Sequence, residues 1–511
     1  MACPAFAAAA LFRYLEGNAA ATPQGVRDAL AFGGEVNYRG TYNNTPLHAY
    51  MYARGGKDWE VLRLLLDAGA DLNARDICGF TPLHVYLCYS TVELPLLRRL
   101  LERGARADAT GRGGMQTDAL FAYLNTHSVD GLADPEVVRA LLDAGASVRA
   151  RGDRARTPLH VYVGGFVVRE EIVQLLLAAG ADPRARTDTG LTPLDSLVRS
   201  AGASAGATRL LLAAGASATS RDERWKTALH HHADSFRASA EVVRALLEAG
   251  ADPEARDAQG NTPLHGMATF CSCRQSVVQQ LVDAGADVNA ENAHGLTPMH
   301  YAAVYNPEAC ARLIRAGADP VAKSPDGRTP LGGMLVRGHV RSVRACLETS
   351  PPAAAVAAAL AEARPGAVRA PAASAAEAAA ECVAYVVLMG REGALPASLR
   401  AAHARLIETC RSEVALMART RLSPEASLLD AVRGRAPPST LLPARALAAL
   451  ESVTAYRRVA GRRVAEIRHK TRLVRAAAAL VGPCALPPEL VAQVLARVPA
   501  DSLRRTLGRD K

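Results

Sequence analysis

Leu64-Leu65-Leu66-Asp67-Ala68-Gly69-Ala70-Asp71 decides the fold, because the chain keeps returning to it. Related runs end at Ala105, Ala146, Asp182, Ala216, Asp252, Asp287 and Asp319. Ahead of each run stands a second motif, seen as Thr45-Pro46-Leu47-His48 and again at 81–84, 157–160, 262–265 and 297–300. Two motifs recurring in one order define a repeat, and a repeat sets the architecture before any other argument.

Each position in the unit has a physical reason. Threonine caps a first helix, and proline suits the opening turn, where no backbone donor is required. Leucine enters the core, and histidine is placed to tie neighbouring units. A second helix follows with apolar spacing, as in Val137-Val138-Arg139-Ala140-Leu141-Leu142. Glycine at 69, 145, 180, 250 or 285 ends it in a left-handed turn. A hairpin-like loop then leads to the next threonine.

The unit-starting threonines are 45, 81, 117, 157, 192, 227, 262, 297 and 329, mostly 35 or 36 residues apart. Some units are degenerate. Thr117-Asp118-Ala119-Leu120 lacks proline and histidine, Thr192-Pro193-Leu194-Asp195 lacks histidine, and Thr227-Ala228-Leu229-His230 lacks proline. The stretch up to Gly34 keeps only the second half of a unit. Four units carry a tyrosine two places after the fourth position: Tyr50, Tyr86, Tyr123 and Tyr162. These rings are expected in the core, lengthening the turn between helices.

The period and the Thr-Pro-Leu-His start resemble the ankyrin-repeat family over roughly residues 10–348. The resemblance implies an all-α solenoid of about nine repeats, degenerate ends included, across residues 1–348. An Ala/Pro-rich linker or broken helix is expected at 349–380, and a helical C-terminal region at 381–511. Length agrees, since 511 residues exceed what one hydrophobic core organises. Aromatic residues make up only 5% of the chain, so alanine and leucine must do the packing.

Charge separates the two parts. Residues 381–511 hold 22 Lys/Arg against 11 Asp/Glu, while the first 380 hold 38 against 39. Near-neutral repeats argue against nucleic acid as their partner, because phosphate binding needs concentrated positive charge. A basic helix is expected over 457–475, where Glu466 is the lone acid. It reads as a solvated face, as a site for an acidic protein or, after these, as a segment for RNA binding or nuclear import. No apolar run reaches the roughly 18 residues of a membrane span.

Leu486-Pro487-Pro488-Glu489-Leu490, continuing through Val494, Leu495 and Val498 to Asp501-Ser502-Leu503, resembles an F-box shortened at its third helix. Repeats followed by a truncated C-terminal box at 483–508 resemble the poxvirus ankyrin proteins with a PRANC domain, parapoxviruses especially. That resemblance implies a non-enzymatic substrate adaptor in the host cytoplasm, with the nucleus an alternative. Leu486, Pro487, Leu490, Val494, Leu495, Val498 and Leu503 would dock the Skp adaptor of a host cullin-RING ubiquitin ligase. The repeats would hold a host protein, the chain acting as a monomer with no membrane partner.

Two other readings stand beside it. One is a scaffold that sequesters a host signalling protein without degradation. The other is a substrate or decoy of the asparaginyl hydroxylase of hypoxia factor, because Asn73 and Asn289 lie in the Ala-Asp-x-Asn-Ala setting that enzyme modifies. Turn formation explains those asparagines equally well. Candidate target contacts are Tyr52, Tyr89, Arg154, Trp225, Phe270 and Tyr305, on loop tips and first helices. No catalytic, cofactor or metal constellation is expected. His230-His231-His232 are adjacent on a helix, so three rings cannot converge on one ion.

Overall fold

The computed structural model describes residues 4–349 apart from 17, 19, 54–56, 111–116, 236 and 270–274, then 351–362, 378–383, 385–386 and scattered positions between 394 and 427. Phe270, the basic segment 457–475 and the box-like motif 483–508 lie outside the described residues.

After a short helix α1 (Pro4–Ala8), helices come in pairs: α2 (Ala10–Leu15) with α3 (Pro23–Ala31), α4 (Pro46–Tyr52) with α5 (Trp59–Asp67), and α6 (Pro82–Tyr89) with α7 (Leu94–Glu102). The series continues with α8 (Ala119–Asp130) and α9 (Pro135–Asp143), α10 (Pro158–Val163) and α11 (Glu170–Ala178), and α12 (Pro193–Arg199) and α13 (Ala205–Ala213). Then come α14 (Ala228–Ala233) and α15 (Ala240–Glu248), α16 (Pro263–Thr269) and α17 (Gln275–Asp283), α18 (Pro298–Tyr305) and α19 (Pro307–Arg315), and α20 (Pro330–Arg337) and α21 (Val340–Glu348). A further helix, α22, covers Ala353–Glu362.

These helices fall into two compact bodies, residues 1–266 with 274–286, and residues 267–273 with 287 onward. Within the first body, first helices stack on first helices (α4 on α6, α6 on α8, α10 on α12) and second on second (α11 on α13, α13 on α15). Within the second, α18 packs on α20, α19 on α21, and α20 on α22. The core is the layer between the rows, built from residues such as Leu47, Leu62, Leu83, Leu97, Leu159 and Leu176, all fully buried or nearly so. Burial of each such leucine contributes roughly 1.5–3 kcal/mol.

The structure corrects three expectations and narrows a fourth. First, the N-terminal stretch is a whole helix pair rather than half of one. Leu11, Phe12 and Leu15 of α2 are buried, α2 packs on α4, and α3 packs on α5. The capping residue of α2 is Ala9, which offers no side-chain hydrogen bond, so the Thr-Pro start was missing from the sequence. Second, the cap of α8 is Asp118, not Thr117: its carboxylate accepts from Phe121 N–H at 2.9 Å. Third, ten pairs are present from α2/α3 to α20/α21 among the described residues, more than the nine expected. Fourth, of the two forms expected for 349–380, linker or broken helix, the stretch begins with a helix, and that helix is packed. In α22, Val356, Ala357 and Leu360 are buried, and Glu362 reaches back to accept from Thr329 N–H at 3.0 Å. Thr329 starts the unit whose fourth position is Gly332 rather than histidine, so Glu362 takes over the histidine's cap-binding task.

Beyond α22, buried Cys382, Val383 and Val386 continue the packing, and Glu381 pairs with Arg344 of α21 at 3.1 Å. A short antiparallel pair, Arg421–Ser423 with Ala426–Ser427, is the one departure from an all-helical chain among the described residues. No described helix is long and apolar enough to cross a membrane.

Candidate partner-binding face

The rows of helices are tied together by side chains that the repeat places at fixed positions. At the start of α4, His48 Nδ1 accepts from Thr45 N–H at 3.2 Å, while His48 Nε2 lies 3.0 Å from Phe80 O in the next unit. The same link joins His84 to Thr117 O, His160 to Leu191 O and His230 to Asn261 O. In the second body, His300 meets Arg328 O. A backbone N–H can only donate and a carbonyl can only accept, so these rings must be neutral Nε2–H tautomers. Burial accordingly lowers their pKa, to about 4 for His84 and His160.

Phenylalanine solves the same joint differently. Phe121 and Phe12 stand three residues after the cap positions Asp118 and Ala9, where six other units have histidine. The loop of the following unit then begins with glycine, Gly152 or Gly40. A Cβ on Gly152 would lie 2.1 Å from Phe121 Cζ, and one on Gly40 would lie 2.3 Å from Phe12 Cζ. Loops fed by histidine begin instead with a polar residue, such as Asp76, Thr187 or Asp257.

The tyrosines are core residues with one polar task. Tyr50, Tyr86, Tyr123 and Tyr162 are almost fully buried. Each hydroxyl accepts from the backbone N–H that starts the second helix, at Asp58 (2.8 Å), Glu93 (2.7 Å), Asp134 (2.8 Å) and Arg169 (2.8 Å). Desolvation pushes the phenols up, to about 12 for Tyr50, Tyr86 and Tyr123. His232 does the same work, accepting from Ser239 N–H at 2.8 Å. The ring does not set the length of that turn: the junctions before α19 and α21, in units with Ala302 and Met334 at that place, are short, but the unit with Leu197 there has five residues between α12 and α13, more than the four after α6 and α8, whose units carry Tyr86 and Tyr123.

The neighbouring histidines take separate partners. His230 bonds Thr227 and Asn261, His232 bonds Val198 and Ser239, and His231 Nε2 sits 3.1 Å from Asp222 Oδ2. Burial outweighs Asp222 and lowers the His231 pKa to about 4.

Between helix pairs, five-residue loops project as fingers. Successive fingers are joined through their backbones, with Ile77 N–H donating to Tyr42 O, Asp188 to Arg154 O, Glu223 to Thr189 O and Ala258 to Arg224 O. An arginine ladder reinforces them, which the sequence reading missed. Arg39 donates to Arg75 O (2.8 Å), Arg151 to Arg186 O (3.0 Å), Arg186 to Arg221 O (2.8 Å) and Arg221 to Arg256 O (2.9 Å). The regular spacing of 151, 186, 221 and 256 was the available signal.

Asn73 and Asn289 also serve the stack. Asn73 donates to Gly104 O at 3.0 Å and accepts from Arg106 N–H at 2.9 Å, so it holds the end of the next unit's second helix. Asn289 does so with Gly317 and Asp319, and Asn37, which sequence reasoning passed over, does so with Gly69 and Asp71.

What remains free to meet a partner is specific. Tyr52 and Tyr89, at the C-terminal ends of α4 and α6, are brought together with ring centroids 5.1 Å apart. Tyr42 and Ile77, on the adjoined tips of neighbouring fingers, are exposed and were not among the sequence candidates. Arg154 and Trp225 are exposed on fingers of the same body, but on different ones. Tyr305 is exposed in the second body.

Family models for ankyrin repeats match residues 196–292, 229–324 and 270–350, and the single ankyrin repeat matches 42–77 and 155–188. No curated protein matches the chain. The chain thus carries ankyrin repeats, whose role is protein–protein interaction.

Proposed function

We propose that this protein is a viral substrate adaptor of the poxvirus PRANC type, a binding protein and not an enzyme, working in the cytoplasm of its host. Its repeats hold a host protein, and its C-terminal segment docks the Skp adaptor of a cullin-RING ubiquitin ligase. The observation that carries the reading is the order of parts: a protein-binding array, then Leu486-Pro487-Pro488-Glu489-Leu490 with Val494, Leu495 and Val498 at helical spacing. The array supports the holding half through its braced fingers, which keep side chains exposed without loss of order on binding. Net positive charge in residues 381–511 supports the docking half if its partner is acidic, since complementary charge raises the encounter rate.

The test compares the full chain with a chain ending at residue 482, each expressed in host-type cells. The full chain should recover the Skp adaptor and cullin, and the shortened chain should recover neither while keeping its repeat-bound protein. If the shortened chain recovers the ligase equally well, the adaptor reading fails. If neither form recovers it, the repeats act as a sequestering scaffold.

A further inference from the structure

Five fingers place glycine at the fourth position of the loop: Gly79, Gly190, Gly260, Gly295 and Gly327, with φ between 64 and 82°. The finger Asp222-Glu223-Arg224-Trp225-Lys226 places tryptophan there, at φ 62°. A bulky residue in the left-handed region costs roughly 1–2 kcal/mol where glycine costs nothing. Nothing in the core recovers that cost, because Trp225 is 60% exposed. The other tryptophan, Trp59, is half-buried beneath Arg99 and Arg103.

The finger is braced beneath the indole. Asp222 Oδ1 accepts from Arg224 N–H and Lys226 N–H, both at 2.8 Å, and Lys226 pairs with Asp234 at 2.6 Å. The Arg221 guanidinium lies over the Trp225 ring at 5.4 Å while donating to Arg256 O. A large aromatic is therefore displayed on a rigid base, at a conformational cost, with more than half of it exposed.

Charge gathers around it. Residues 149–156, 184–191 and 219–226 form three successive fingers and hold nine Lys/Arg against four Asp/Glu. The next finger, 254–261, holds one against two. Arg151, Arg186 and Arg221 spend their hydrogen bonds on backbone carbonyls, which leaves their charge unneutralised. Arg154 is highly exposed, only 3.8 Å from a carboxylate that is itself exposed.

We infer that these three fingers form the seat for an acidic protein segment, with Trp225 as its apolar anchor and Arg154 and Arg224 as charge partners. The inference deepens the holding half of the proposed function and rests on that reading. It names the chemistry of what is held: a peptide rich in aspartate or glutamate beside an apolar side chain.

The experiment selects from a displayed library of random dodecapeptides with the full chain. Enriched peptides should be acidic, should weaken as salt rises, and should lose at least about tenfold in affinity with Trp225→Gly. Glycine suits this φ, so that variant should fold as the parent does, and its melting temperature checks this. Arg154→Glu with Arg224→Glu should reverse the charge preference of the enriched peptides. Neutral or basic peptides, no enrichment, unchanged binding by Trp225→Gly, or equal competition by a DNA or RNA oligonucleotide would each overturn the inference. Recovery of the ligase depends on residues 483–511 and not on Trp225, so the two proposals fail separately.

Discussion

The joint from α10 to the next finger and the joint from α8 to the next finger do one job with opposite chemistry. At α10, His160 bridges polar groups on both sides, from Thr157 to Leu191 O. At α8, the Phe121 ring fills the space, and Gly152 makes room for it. A histidine joint depends on hydrogen bonds and protonation state, whereas a phenylalanine joint depends on the absence of one Cβ. The difference shows that the repeat conserves a contact between units and not a residue type. It also accounts for the odd backbone of the glycine-led fingers. Both use two consecutive left-handed residues, Tyr42 with Asn43 and Arg154 with Ala155. Each throws a large side chain outward, so the choice of joint in the core shapes what the finger displays.

The sharpest way to break this comparison is to mix the two solutions. Gly152→Asp drives a buried side chain, and a charge, into the Phe121 ring, and should cost about 4 kcal/mol or more in denaturant unfolding. Combining it with Phe121→His recreates the polar joint, with the new imidazole facing Arg156 O. The pair should recover at least half of the loss. Strict additivity of the two substitutions would show that the sites are not coupled.

Acid tests the histidine joints as a group. Their pKa values lie below the ordinary 6.5, so the unfolded chain takes up protons first as pH falls. Stability they support is whole above pH 6.5 and drains away between 6.5 and about 4, the value for His84 and His160. Asp118 and Asp195 run the other way. Burial raises each to about 6, so their ionisation costs stability as pH rises through that value. The histidines outnumber the two carboxyls, and the net expectation is a loss of a few kcal/mol from pH 6.5 to 4. Thermal unfolding across that range checks it, and a flat profile would mean that the imidazoles are not buried as neutral groups.

Tyr162→Phe is a smaller perturbation. It keeps the ring and removes only the acceptor for Arg169 N–H, leaving a buried donor unmatched, for about 1–2 kcal/mol. Tyr89→Phe, on an exposed ring, should change stability by less than about 0.5 kcal/mol. Equal effects from the two would break the distinction between tyrosines that hold the stack and tyrosines that face outward.

These contrasts show how much could be read from residues alone. The Thr-Pro-Leu-His start marks half of the first helices because capping is local chemistry, and the buried tyrosines follow from the same register. The α2 helix escaped because Ala9 caps nothing, and α22 stayed open between linker and broken helix because a run of alanines carries no motif until packing shows its use. The arginine ladder was present as a period but silent as a function, since a donor in one unit and a carbonyl in the next meet only when the units stack. Sequence could nominate Arg154, Trp225, Tyr52 and Tyr89 as contacts for a partner. It could not show that only the last two touch.

Trp225 is where reading and structure meet most closely, and its expected effect on stability is small and opposite in sign. Aligned with its sister fingers, it stands at a glycine position, which a sequence comparison within this one chain already reveals. Trp225→Gly relieves the left-handed strain but adds freedom to the unfolded chain. The net change should be a gain of between about 0 and 1 kcal/mol. A loss larger than about 1 kcal/mol would mean that the indole braces its own finger through Arg221, and its display would then be a by-product of packing. A gain would separate Trp225 from every joint described above, since those residues stabilise the stack. Tryptophan would then be retained here at the expense of stability, as a residue kept for contact with another molecule would be.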